Sequence, residues 1–308
     1  VILDQLVWPL ALVLAALVLG PYLLAVLDGL VARGLGLTRG PGLWLAPLRR
    51  GAWWLIQHTN VTEAPDGRAW RLAPALYLAL AAGGLALVPW SRAWVATDIA
   101  TSLVLWGSIE ALATVVIFLQ GWSANTHLTL VGAYRYVALG LSYILVSMFV
   151  LIGVALPAES LALTQVIISQ QELWNVLRQP LGLPLFLIVG LAITFRGPFN
   201  LADSTDLAGG TSADVSGAQR LVWEFARSAM LVAFSGIATA AFLGGWLGPW
   251  LPGPLWVAFK MLAVLALLAW LGPAFARLTP EHCVSLMWVV LLPLAFVDLI
   301  WAGVEALS

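Results

Sequence analysis

Long apolar runs separated by short polar breaks fill the whole chain. Windows of about 20 apolar residues predict eight helices, roughly at 5–31, 69–90, 98–120, 131–156, 181–196, 220–246, 254–276 and 283–305. The alternating segments that mark a membrane barrel are absent. The fifth run is short, and Pro180 and Pro198 bound it, as suits residues that start or stop helices. The opening "VILDQLVWPLALVLAALVLG" has no basic lead and no small-residue cleavage site, so it reads as a span and not as a signal peptide. The expected fold is all-α: one polytopic membrane domain over 1–308, with about eight transmembrane helices.

Two segments between the spans stand apart. "LWLAPLRRGAWWLIQH" (43–58) is too short and too charged to cross a bilayer. Trp44, Trp53 and Trp54 beside Arg49 and Arg50 suit an amphipathic helix lying in the interface. It serves either as a tryptophan anchor belt or as a docking and substrate-access element. The segment "PAESLALTQVIISQQELWNVLRQ" (157–179) reads as an outer surface helix without chemistry.

Basic residues set the orientation. With the N-terminus outside, the inner face collects Arg33, Arg39, Arg49, Arg50, Arg68, Arg71, Arg135, Arg196, Arg220 and Arg277, and the outer face only Arg92 and Arg178. Positive loops stay inside, so both termini are expected outside, and segment 43–58 lies on the cytoplasmic side. The bias of basic residues toward Arg, with abundant Ala, Leu and Gly, suits a bacterial inner membrane.

Composition agrees with the periodicity. Hydrophobic residues make up 62% of the chain and charged ones 9%, against about 25% charged in soluble domains. Lipid must therefore solvate most of the surface. A net charge of −1 with no basic run gives no sign of nucleic-acid binding. Cys283 is the single cysteine, which excludes an internal disulfide or a cysteine-based metal centre, and His58, His127 and His282 are far apart. No metal site, catalytic residue or bound cofactor of its own is expected.

Ionisable residues within spans are functional candidates because burying them is costly. They are Asp28, Glu110, Glu224, Arg227, Lys260 and Asp298. Glu224 and Arg227 share a helix face at i, i+3 and are expected to pair. Glu110 has only Ser108 and Thr114 near it, so it needs a cation from another helix, a water-filled cavity or a proton. Asp28 and Asp298 are expected to reach an interface, and Lys260 to snorkel from a span end.

Four ordered blocks resemble one family, the H subunits of the proton-pumping NADH:quinone oxidoreductase (respiratory complex I) and their homologues in membrane-bound hydrogenases. Asp98, "GWSAN" (121–125), "GAYR" (132–135) and "SY" (142–143) fall at the family spacing. "AITFRGPFNLADSTDLAGGTSADVSG" (192–217) is similar to the family loop. "TRGPG" (38–42) with "RLAPAL" (71–76), and Lys260 with "ARLTPEHCVSLMWVVLLPLAF" (276–296), complete the match. The resemblance implies a membrane-arm subunit at the junction with the peripheral redox arm. It also implies partners among the other membrane-arm subunits and the iron–sulfur and quinone-site subunits, and quinone near the shared interface. In this family, buried carboxylates lead from that junction into the membrane.

Those acids are where the chain departs. The family's Glu after "SY" is Ile144, and the Glu two residues before its Asn-Arg is Ile193. That Asn is Phe195, and "PFD" has become "PFN" at Asn200. The loop keeps Asp203, Asp206 and Asp214 with Arg196. The Glu of the sixth span falls on Arg227, one turn after Glu224. Arg135 and Lys260 are retained. The residues left for a relocated proton relay are Glu110, Glu224, Arg227, Arg135 and Lys260. A scaffold subunit that anchors a soluble redox or hydrogenase module without a proton path is the alternative. A stand-alone transporter ranks last, because no internal repeat is present.

Overall fold

The computed structural model describes residues 2–37, 42–204 and 207–307, with side chains from Val7 onward. Arg39 and Asp206 lie outside these residues. Among the described residues, twelve α-helices follow in order: α1 (Ile2–Gly34), α2 (Ala46–Ile56), α3 (Gly67–Ala86), α4 (Ser102–Ser123), α5 (His127–Ala155), α6 (Leu163–Ser169), α7 (Asn175–Arg178), α8 (Gly182–Ile193), α9 (Gly217–Phe242), α10 (Gly253–Ala274), α11 (Pro280–Ser285) and α12 (Leu292–Leu307). A π-helical stretch, Leu286–Leu291, joins the last two. No strand occurs among the described residues, and Asp203 and Gly210 form an isolated bridge.

Eight segments of the described residues are long and apolar enough to cross a membrane, from Val7–Gly34 to Pro280–Leu307. They coincide with the eight predicted runs, shifted by a few residues at their ends. The protein is a polytopic α-helical membrane protein.

Helix α9 is the axis of the bundle. Its most apolar window is 83% buried, against 28% for the first and last spans. It packs against α1, α3, α8 and α10. Small residues make this possible: Ala226, Ala229, Ala233, Gly236, Ala240 and Ala241 give α9 a thin profile that lets neighbouring backbones approach. Gly236 meets Val88, and Gly190 of α8 meets Phe234. Without a hydrophobic drive between lipid-bathed helices, such close packing and internal hydrogen bonds hold the bundle together.

Helix α2 has no buried residue. Its Trp44-side approach is fixed by Tyr22, whose hydroxyl donates to Trp44 O at 2.6 Å. Trp53, Arg49 and Arg50 are exposed.

The segment 157–179 departs from the expected surface helix. It folds as α6 and α7, and Gln170, Asn175 and Gln179 are buried. Gln170 Nε2 donates to Ala240 O at 3.0 Å and Asn175 Nδ2 to Ala241 O at 2.8 Å. Gln179 Nε2 donates to Val150 O and to Asp298 Oδ2. The last carbonyls of a helix have no partner within it, and Gln170 and Asn175 supply donors for the end of α9, while Gln179 bonds a carbonyl inside α5. Asp298 is accordingly 1% exposed and does not reach the interface.

Lys260 also departs from expectation. Its ammonium does not snorkel but turns inward, 5% exposed. It donates to Leu243 O, Gly245 O and Leu247 O at 2.6, 3.0 and 2.7 Å, and lies 4.3 Å from the Trp174 ring centre. A cation at the carbonyl end of α9 is favourable twice over, by hydrogen bonds and by the helix dipole.

Candidate functional site

Helix α8 has 12 residues, about 18 Å of rise against a hydrocarbon core of about 30 Å. The chain after it continues through a sharp cap into a 3-10 turn, Gly197–Ala202, so that the whole segment Gly182–Ala202 has the length of a span. Irregular backbone is tolerated in a membrane where protein surrounds it; Thr194, Phe195, Asp203, Thr211 and Ser212 are buried, as is Phe199 in the 3-10 turn.

The turn begins with strain. Phe195 has φ +55, a left-handed conformation that costs a side-chain-bearing residue roughly 1–2 kcal/mol. The bonds Arg196 N–H to Leu191 O (2.8 Å) and Phe195 N–H to Ala192 O (3.3 Å) form a Schellman cap, where Gly or Asn is usual. Aromatic packing holds Phe195 in place: its ring centre lies 4.6 Å from that of Tyr136 and 6.5 Å from that of Trp223.

Past the cap, Arg196 makes a bidentate ion pair with Asp28 of α1, both bonds at 2.7 Å. This pair stands on the wall of an open cavity of about 330 Å³, with Phe195, Asn200, Ala269 and Pro273 also lining it. Asp28 is thus a partner of the loop and not an isolated interfacial charge.

Asp203 lies deeper, 7% exposed. Its carboxylate accepts from Arg227 Nη1 (2.5 Å) and Thr211 Oγ1 (2.7 Å). Arg227 Nη2 donates to Glu224 Oε2 at 2.6 Å, and Arg220 holds Glu224 Oε1 at 2.9 Å. The expected i, i+3 pair is thereby one edge of a four-residue array: two acids and two guanidiniums alternate from loop to α9. Each charge faces an opposite one, which makes it tolerable at this depth.

The other loop residues serve as fasteners. Arg135 donates to Ala208 O and Gly209 O at 2.6 and 3.1 Å. One turn earlier on α5, Gly132 leaves room for the Gly210–Thr211 backbone. Asp214 accepts from Thr126 Oγ1 at the start of α5. Arg135 and Asp214 therefore hold the loop against α5 and do not join the ion array, and Lys260 sits with the far end of α9.

Glu110 is fully buried. It has a local partner that the sequence left unseen: Trp106 Nε1 donates to Oε1 at 2.7 Å. Ser108 faces outward and bonds to Val104 O. Residues missed in the sequence lie between Glu110 and the array. Tyr77 and Tyr136 both donate to Ile193 O, at 2.9 and 3.1 Å. Tyr136 and Tyr143, whose i, i+7 spacing on α5 puts them on one face, are bonded at 3.0 Å. Among the described residues no group of three His, Cys, Asp or Glu could hold a metal ion.

A family model described as NADH dehydrogenase matches residues 7–303. The chain belongs to the H-subunit family of complex I. It is 31% identical over 256 residues to the NADH-quinone oxidoreductase H subunit of Geobacillus kaustophilus, covering 81% of this chain and 77% of the relative. A Bacillus cytotoxicus protein of the same name is 30% identical over 251 residues, covering 80% and 75%. An NADH-quinone oxidoreductase H subunit of Rhodopseudomonas palustris is 28% identical over 250 residues, covering 81% and 78%. Membership in this family makes the chain a membrane component of a multi-subunit assembly.

Proposed function

We propose that this chain forms the junction between the membrane arm and the peripheral arm of a complex I-like redox-driven proton pump. Its loop after α8, with Arg196 and the neighbouring cavity, forms part of the quinone access region. The array of Asp203, Arg227, Glu224 and Arg220 opens a proton-coupling path that is altered where family acids are missing. Helix α2, with Trp44, Arg49, Arg50, Trp53 and Trp54, lies on the cytoplasmic interface beside that region. Both termini face outward, because Arg33, Arg49, Arg50, Arg68, Arg71, Arg135, Arg196, Arg220 and Arg277 all fall at one end of the bundle and positive ends stay inside. Neighbouring membrane-arm subunits cover the poorly buried outer spans, and iron–sulfur and quinone-site subunits meet the loop end. Quinone is the substrate of the assembly, and no cofactor belongs to this chain.

The carrying observation is the alternation of acids and guanidiniums between loop and α9, half-buried at Arg220, Glu224 and Arg227 and buried at Asp203. Such a set re-pairs when a charge or proton changes next to it. The test is Arg227→Gln in the intact complex, reconstituted into liposomes, with protons moved per electron pair as the readout. A lowered ratio with quinone reduction retained supports the reading, and an unchanged ratio overturns it.

The second reading is a membrane anchor for a redox module without its own proton path. The hydrocarbon side chains at Ile144 and Ile193 favour it, since neither can carry a proton. Normal quinone reduction with no pumping in the wild-type complex would establish it.

A further inference from the structure

Of the 14 Lys and Arg residues in the chain, Lys260 alone is lysine. Its ammonium has three donors, and three main-chain carbonyls receive them: Leu243 O, Gly245 O and Leu247 O. The Trp174 ring centre lies 4.3 Å from Nζ and that of Trp256 5.4 Å. Among the described residues no carboxylate forms an ion pair with it. An arginine fork is planar with five donors and would not match three converging carbonyls, whereas a compact ammonium does.

The backbone builds this cage. Gly244 and Gly245 have φ of +69 and +45, left-handed values that glycine adopts without steric cost. Their N–H groups are engaged away from the ammonium: Gly244 N–H donates to Gln170 Oε1 at 2.9 Å and Gly245 N–H to Thr239 O at 3.0 Å. The carbonyls of the turn are left to converge on one point. Glycine also admits both rings. A Cβ on Gly244 would lie 3.0 Å from Trp174 Nε1, and one on Gly248 would lie 2.2 Å from Trp256 Nε1. All three oxygens belong to the turn 243–247, and the cation reaches them from α10.

We propose that the turn 243–247, with the faces of Trp174 and Trp256, is a binding site for a primary ammonium, and that the chain fills it with its own Lys260. Carbonyl oxygens and aromatic faces attract a cation but bring no net charge of their own, so the site suits one positive charge. Calcium and magnesium take more oxygens, with carboxylates among them, than this cage supplies. A quaternary ammonium has no N–H to give the carbonyls. Lys260 is thus a tethered ligand that fastens α10 to the end of α9, and a free primary amine takes its place when the side chain is cut back.

The test uses the whole assembly purified in detergent. Wild type, Lys260→Ala and Lys260→Met are heated in the chloride salts of sodium, tetramethylammonium or methylammonium at equal ionic strength, and the half-time for loss of this chain from solution is measured. Lys260→Ala is expected to be lost faster than wild type in sodium chloride. Methylammonium at about 10 mM is expected to lengthen that half-time about twofold or more, as a ligand near its Kd does, and tetramethylammonium to leave it unchanged. Lys260→Met keeps the side chain's length and occupies the space, so it is expected, like wild type, not to respond to methylammonium. Equal half-times for Lys260→Ala in all three salts, or the same gain in wild type, would overturn the site. If Lys260→Ala does not assemble, the wild-type assembly carries the test, because its one lysine can be read alone by mass spectrometry after reductive methylation with formaldehyde and cyanoborohydride. Lys260 is expected to stay unmodified in the folded assembly and to become dimethylated after unfolding. Full dimethylation in the folded assembly would overturn the cage.

Discussion

Arg196 and Asp28 are joined by two parallel hydrogen bonds of 2.7 Å across 168 residues of sequence. The pair fastens the turn after α8 to the inner end of α1 at the mouth of the cavity. Both side chains are partly exposed, at 19% and 37%, so water screens the attraction and its worth to stability is small. Its worth to geometry is larger, because the guanidinium fork fixes orientation. Asp28→Asn is therefore expected to leave the yield of assembled complex unchanged and to raise the KM for quinone with kcat nearly constant. Steady-state quinone reduction against quinone concentration measures this, and an unchanged KM would remove Asp28 from the cavity wall's function.

Phe195 sets a contest between backbone strain and side-chain packing. Its φ of +55 disfavours any side chain, yet its ring fills the space between Tyr136 and Trp223. Phe195→Ala loses the packing and keeps the strain, at about 3 kcal/mol. Phe195→Gly loses the same packing but relieves the strain, so it is expected to be about 1 kcal/mol more stable than the Ala variant. Thermal unfolding in detergent orders the two, and Ala above Gly would contradict the cap described at this turn.

Lys260 gathers three carbonyls at the end of α9. Lys260→Met keeps the length and leaves those oxygens short of donors, at a cost of about 1–3 kcal/mol. The Trp174 ring also loses the cation beside it. A lower melting temperature, with a change in tryptophan emission, is expected. An unaltered melting temperature would show that water replaces the ammonium there.

Gln179 and Asp298 form a buried pair in which each alone is a liability. Gln179→Leu leaves the Asp298 carboxyl without its side-chain donor, and about 1–3 kcal/mol is lost. Replacing both by leucine removes the stranded group as well and is expected to be milder than Gln179→Leu alone. A thermal double-mutant cycle reads the coupling, and additive losses would mean the two groups are independently solvated.

Gly132 gives way to the loop backbone at Gly210. A methyl there meets backbone and not a flexible side chain, so Gly132→Ala is expected to lift the loop from α5. Protease applied to inverted membrane vesicles is expected to cut the chain near residues 205–210 faster in this variant. Equal rates would place the loop elsewhere than against α5.

The spans were legible because lipid imposes one demand over some 20 residues at a time, and no tertiary contact can override it. The Glu224–Arg227 pair was legible for a similar reason, since helix geometry alone brings i and i+3 together. Much of the candidate site was not legible. Asp28 and Arg196 are far apart in sequence, as are Arg227 and Asp203. The shortness of the fifth run was legible, but nothing in a linear pattern announces that the loop after α8 packs against α5 and α9. The amides of 170–179 read as surface because polarity marks exposure in a loop, whereas here they bond helix carbonyls and a carboxylate inside the bundle.

By itself, the sequence determined how many helices cross the membrane, which end gathers the arginines, and which family the chain resembles. Those properties are sums over local composition and survive any rearrangement of neighbours. Only the tertiary structure decided what each of these charges faces: Lys260 against carbonyls, Asp298 against an amide, Arg227 between two acids, and Glu110 against the Trp106 indole. The physical reason is that a charge in low dielectric is governed by the few atoms within hydrogen-bonding reach. In this protein some of those atoms lie on the same helix, as Trp106 does for Glu110, and others come from segments tens to hundreds of residues away, as for Asp28 and Asp298.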